Sequence, residues 1–157
     1  MRERLIKFIA TGFGTGNLPV APGTMGSFLG VGYWWVLRHA DAWVYWLGFG
    51  IGVAIAVWCA GAASEIYRRP DPPSVVLDEI AAVPLALAGL GAHVWTIITA
   101  FFLFRLFDIW KPPPLRQVQA FSGGVGIVLD DLLAAAYACA STHAIVWVVN
   151  WSRHRFW

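Results

Sequence analysis

The sequence predicts an all-α membrane protein, a compact helical bundle that mixes span-length helices with re-entrant or half-length ones. Three observations predict it. Hydrophobic residues make up 59% of the 157-residue chain and charged residues only 13%, too few to cover a surface in water. Residues 42–63 and 132–151 are apolar stretches without a formal charge, long enough to cross a bilayer. Apolar positions run continuously or with a helical period, and nowhere alternate cleanly as a strand would. The length fits a single domain over residues 1–157. A net charge of +2 is too small to suggest a nucleic-acid partner. Basic residues gather instead near segment ends, at Arg2, Arg4 and Lys7, at Arg68 and Arg69, and at Arg153 and Arg155. With 10 Trp they point to membrane interfaces and anionic lipid.

In chain order, residues 1–10 form a basic amphipathic start, one interfacial helix, with no signal-peptide cleavage site after it. Residues 11–27, TGFGTGNLPVAPGTMGS, are rich in Gly, Pro and hydroxyls and predict a structured loop. Residues 28–37 are apolar but short for a span, and residues 38–41 break the pattern. Residues 64–74 are polar, and within them Asp71-Pro72 reads as an N-cap and first helical position. Residues 80–104 are apolar apart from His93, but carry Pro84, Gly89 and Gly91 near their middle. The last stretch, 132–151, follows a Gly-rich turn, GGVGIVLDD. Cys59 and Cys139 lie in apolar runs, so free thiols are expected and no disulfide framework is indicated.

The chemistry concentrates in FFLFRLFDIWKPPP, residues 101–114. Arg105, Asp108 and Lys111 share one broad helical face, and Pro112 stops the helix at Lys111. Alone, such a triplet can be an interfacial anchor or a site for a cation and a phosphate. The remaining acids favour the second reading. Asp71, Asp78, Glu79, Asp108, Asp130 and Asp131 are six of nine acidic residues, and five border or enter apolar segments. There a carboxylate costs several kcal/mol unless paired or metal-bound. Asp78 and Asp108 can meet only if residues 80–104 fold back as a hairpin, which the breakers favour.

Clustered carboxylates, flanking Arg and Lys and a hydroxyl-rich loop fit Mg²⁺-dependent phosphoryl transfer. Backbone N–H groups of residues 11–27, with Thr24 and Ser27 hydroxyls, could cradle phosphate oxygens. Cysteine-phosphatase, aspartyl-nucleophile and zinc-protease spacings are absent. The four histidines form no set and read as structural or interfacial.

Four blocks, in order, resemble the phosphatidylglycerophosphatase A family. They are ATGFGTGNLPVAPGTMGS, DPPSVVLDE, FRLFDIWKPPPLR and GGVGIVLDD. The resemblance implies an all-helical enzyme of the bacterial cytoplasmic membrane. Its reaction would be Mg²⁺-dependent hydrolysis of phosphatidylglycerophosphate to phosphatidylglycerol and inorganic phosphate. The motif positions fall on Pro19, Pro22, Gly23, Thr24, Gly26 and Ser27; on Asp71, Asp78 and Glu79; on Arg105, Asp108, Lys111 and Pro112; and on Gly123, Gly124, Asp130 and Asp131. Asp78, Glu79, Asp108, Asp130 and Asp131 are expected to hold Mg²⁺ or act as general base, with Asp71 a further metal candidate. Arg105 and Lys111, with Gly23, Thr24, Gly26 and Ser27, are expected to seat the phosphate. Lys111 is also counted among the catalytic residues. Direct attack by water is preferred to a phospho-aspartate. Ala82 and Ala135 depart from the pattern, standing where the family usually has glycine after each acidic pair. The substrate lipid and the bilayer are the expected partners. The alternatives are a non-catalytic membrane scaffold or lipid-binding protein, and a CDP-alcohol phosphotransferase-like enzyme, whose carboxylate motif is missing here.

Overall fold

The structure is a computed structural model that describes residues 1–118, 121 and 123–155, with side chains described as far as Ser152. The Arg153 and Arg155 side chains and Ser122 lie outside the described residues. Every regular element among the described residues is helical. In order these are α1 (Arg2–Ala10), α2 (Pro22–Leu37), α3 (Ala42–Tyr67), α4 (Leu77–Ala86), α5 (Val94–Trp110), the single-turn α6 (Leu115–Val118) and α7 (Gly124–Arg155). A 3₁₀ turn, Thr15–Asn17, lies between α1 and α2.

Two helices are long and apolar enough to cross a membrane: α3, and α7 over Gly124–Ser152. Their outer faces present large apolar side chains, among them Trp43, Trp46, Ile51 and Trp58 on α3 and Ile145 and Trp147 on α7. In water this would be costly; against lipid tails it is the expected surface. The molecule is therefore a helical membrane protein.

The expected hairpin is present. At about 1.5 Å per residue, the 10-residue α4 covers only about half of a hydrocarbon core. It ends before Gly89, whose φ of +70° suits glycine and turns the chain. His143 on α7 holds the turn, its Nε2 lying 3.0 Å from the Ala88 carbonyl. The chain returns as α5. Pro84 falls inside α4 and does not end it. The Tyr45 hydroxyl donates to the Pro84 carbonyl at 2.5 Å, fixing α4 to α3.

Helix α7 is the central post, packed against α3, α4 and α5, while α2 lies on α4 and α1 on α3. Small residues allow the close approach: Ala82 and Ala86 of α4 and Ala134, Ala135 and Ala138 of α7 are all essentially inaccessible. The methyls of Ala82 and Ala135 are thus absorbed in one core cluster.

Three expected boundaries move. Residues 11–27 are not loop throughout, because α2 begins at Pro22. Proline at the first helical position lacks only an N–H that would be orphaned there. Asp71-Pro72 does not start a helix; α4 begins at Leu77. The intervening chain is tied down elsewhere, with the Val76 N–H donating to the Ala10 carbonyl at 3.0 Å. Finally, only Gly123 (φ +77°) belongs to the Gly-rich turn, so Asp130 and Asp131 lie inside α7.

Candidate active site

The late start of α4 puts Asp78 and Glu79 in its first turn, where the helix dipole favours negative charge. The hairpin then brings the end of α5 alongside. Arg105 Nη1 donates to Asp108 Oδ2 at 2.8 Å on its own helix and lies 3.4 Å from Glu79 Oε1 across the hairpin. Helix α5 stops at Trp110, as Pro112 requires. Lys111 follows with φ +48°, a left-handed conformation uncommon for a side-chain-bearing residue. From there its Nζ reaches Asp130 Oδ2 at 2.5 Å. Asp130 Oδ1 also accepts the Asp131 N–H at 3.0 Å.

All six carboxylates singled out by sequence, with Lys111, line one cavity of about 130 Å³ at this end of the bundle. Asp71 is exposed, while Asp78, Asp130 and Asp131 are buried. Pro73, Val75 and Ile127 complete the wall. These three were missed, and adjacency to the acidic blocks is their only sequence signal.

Six carboxylates against two cationic side chains leave the site negative, and the balance is uneven. Asp78, Glu79 and Asp131 place one oxygen each within 4.8 Å of one another. Asp78 Oδ1, Glu79 Oε2 and Asp131 Oδ2 are buried without a hydrogen-bond partner among the described residues. Burial, then the charge of Glu79, pushes the Asp78 carboxyl well above its usual range. Burial raises Glu79 to about 7, with Arg105 pulling the other way. Burial alone would lower the Lys111 ammonium, but its hydrogen bond to Asp130 and the surrounding acids outweigh that and raise it. Orphaned hard oxygens at this spacing fit a divalent cation such as Mg²⁺.

The expected phosphate-seating residues separate. Ser27 is fully buried, and its hydroxyl donates to the Gly23 carbonyl at 2.8 Å, within α2. Gly23 and Gly26 permit contact: a Cβ on Gly23 would strike Glu79 Oε1, and one on Gly26 would lie 2.8 Å from Val76 Cβ. They set the N-terminus of α2 directly over Glu79 and Arg105. Thr24 is half-buried beside them. The start of α2, with the positive end of its helix dipole, stands where a loop was expected. Arg105 Nε is buried without a partner and retains donor capacity.

The sequence has counterparts in known proteins. No solved structure matches the chain. A Bacteroides thetaiotaomicron protein with the provisional name phosphatidylinositol-3-phosphatase is 35% identical over 150 residues, 90% of this chain and 94% of its own. Phosphatidylglycerophosphatase A of Escherichia coli is 32% identical over 87% of this chain and 81% of its own. That of Haemophilus influenzae is 35% identical over 89% and 88%. The family model Phosphatidylglycerophosphatase A matches residues 8–146, which include every carboxylate of the cavity. The chain belongs to the phosphatidylglycerophosphatase A family.

Proposed function

We propose that this phosphatase hydrolyses phosphatidylglycerophosphate to phosphatidylglycerol and inorganic phosphate, with Mg²⁺, at the cytoplasmic face of a bacterial inner membrane. The observation that carries the reading is the set of orphaned oxygens on Asp78, Glu79 and Asp131. An anionic phosphate monoester would be repelled from so acidic a cavity unless a cation were held there. A scaffold would have no use for three buried carboxylate oxygens without a partner, gathered at one spot.

Asp78, Glu79 and Asp131 would hold the metal, with Asp108 and Asp130 beside them and Asp71 at the rim. A divalent cation there supplies Lewis-acid stabilisation of phosphoryl oxygens and acidifies a bound water. Arg105, through its free Nε, and Lys111 would bind and orient the phosphate, and the first N–H groups of α2 with Thr24 would complete the seat. One cavity carboxylate would take the proton of the attacking water. With a general base at hand, direct attack by water remains our preferred route.

The orientation is supported by charge. Arg2, Arg4, Lys7, Arg68, Arg69, Lys111 and Arg116 lie at the carboxylate end, against Arg38 and the last turn of α7, with Arg153 and Arg155, at the other. Basic flanks favour the cytoplasm. The provisional name of the Bacteroides relative motivates a second substrate, phosphatidylinositol 3-phosphate.

The test is phosphate release by purified protein from each lipid, with Mg²⁺, with EDTA, and from Asp108→Asn. The reading expects release from phosphatidylglycerophosphate that EDTA and the substitution both abolish. Release that survives both would keep the phosphatase and discard the metal site. Release from the inositol lipid alone would move the substrate.

A further inference from the structure

At the end of α2 remote from the carboxylates, a second cation is held in different surroundings. The Arg38 guanidinium lies over two indoles, 5.1 Å from the Trp34 ring centre and 4.9 Å from that of Trp35. None of the ion pairs among the described residues includes it. It borders a groove of about 460 Å³ whose lining includes Trp34, Ala42, Trp46, Leu87 and Leu90. The groove wall thus combines the end of α2, the start of α3 and the tip of the α4–α5 hairpin. Trp34, Leu87 and Leu90 are buried, while Trp46 is 50% exposed. The groove is therefore floored by apolar side chains, with half-exposed Trp46 at its mouth and Arg38, in no ion pair, on its rim; Asp41, between the lining residues Ala40 and Ala42, is the acid nearest in the chain.

Guanidinium pairs with phosphate through parallel N–H donors, and interfacial indoles sit at headgroup depth. Apolar walls suit an acyl chain. We infer that the groove at Arg38 binds an anionic glycerophospholipid of the opposite leaflet, its net-negative headgroup on Arg38 and a chain along Ala42, Trp46 and Leu90. The lipid would brace the hairpin tip against α2 and α3, about 24 Å along α2 from the carboxylate end. The inference stands apart from the phosphatase reading and needs no turnover.

The test is titration of delipidated, detergent-solubilised full-length protein with phosphatidylserine and with phosphatidylcholine of the same chains, followed by native mass spectrometry. Wild type is expected to prefer phosphatidylserine. Arg38→Gln is expected to lose about tenfold in phosphatidylserine affinity and little for phosphatidylcholine. Ala42→Trp, which keeps Arg38 but fills the groove, is expected to weaken both. Lys111→Gln, at the carboxylate end, is expected to leave the preference intact. A wild type without preference, or undiminished phosphatidylserine binding by Arg38→Gln, would overturn the assignment. So would a preference lost only in Lys111→Gln, because the anion would then bind at the carboxylates. Should Arg38→Gln fail to fold, full affinity in Ala42→Trp would overturn it equally.

Discussion

Asp78, Glu79 and Asp131 face one another with oxygens that no donor among the described residues reaches. Without a cation this is self-repulsion in a desolvated place; with one it is a ligand set. Replacing one acid by its amide should therefore separate stability from function. Asp78→Asn is expected to melt no lower than wild type in EDTA. It should also lose most of the rise in Tm that Mg²⁺ gives wild type, and at least about 100-fold in kcat/KM. A variant that unfolds in EDTA while wild type does not would argue for a structural aspartate. Glu79 gives the pH counterpart. Its carboxyl is raised from 4.5 to about 7, so the folded protein keeps a proton that the unfolded chain releases. That contribution to stability is complete below 4.5 and disappears as pH climbs through about 7. In EDTA the melting temperature is expected to fall between about pH 5 and pH 8, and Mg²⁺ should flatten the trend. A metal-free Tm that held steady or rose over this interval would contradict the environment assigned to Glu79.

Elements meet here through missing side chains as much as through present ones. Gly23 lets α2 begin against Glu79 and Arg105, and any Cβ would collide there. Gly23→Ala is expected to lift the helix start from the cavity and lower phosphate release about tenfold or more, at about 1–3 kcal/mol of stability. Gly32, which meets nothing on the same helix, provides the control in Gly32→Ala. Equal losses from both would mean helix propensity, not proximity, is being read. The hairpin was legible in the sequence because a topological argument applied: acids at both ends of an apolar stretch could share one site only if it folded back, and Pro84, Gly89 and Gly91 interrupt it, although Gly89 and not Pro84 makes the turn. The start of α2 was not. Composition marks residues 11–27 as loop, and only packing on Val76 and Glu79 shows that Gly23 and Gly26 are contact residues in a helix. Asp71-Pro72 misled for a related reason. Its local cap signal is overridden by a backbone bond from Val76 to the Ala10 carbonyl, a partner remote in sequence.

At the scale of the whole molecule, the bundle gathers its carboxylates at one end and sets Arg38 at the other, and the membrane must separate the two. Residue types alone picked out the six carboxylates, but their convergence depends on α4 turning back halfway while α3 and α7 cross. At 26 residues α3 is about 39 Å long, more than a hydrocarbon core of about 30 Å, so Arg68 and Asp41 at its two ends must face opposite compartments. Native Cys59 is buried and Cys139 half-buried, which keeps the thiol background low. Arg68→Cys and Arg116→Cys are therefore expected to react with a membrane-impermeant maleimide only in inside-out vesicles. Asp41→Cys should react only in right-side-out ones. Arg116 is the informative member, because it follows the hairpin in the chain. If residues 80–104 crossed straight through, Arg116→Cys would label with Asp41→Cys, and Asp108 would be parted from Asp78 by the width of the bilayer. Labelling of Arg116→Cys with Arg68→Cys leaves the re-entrant path as the one compatible with a single cavity, and labelling from the inside fixes its face.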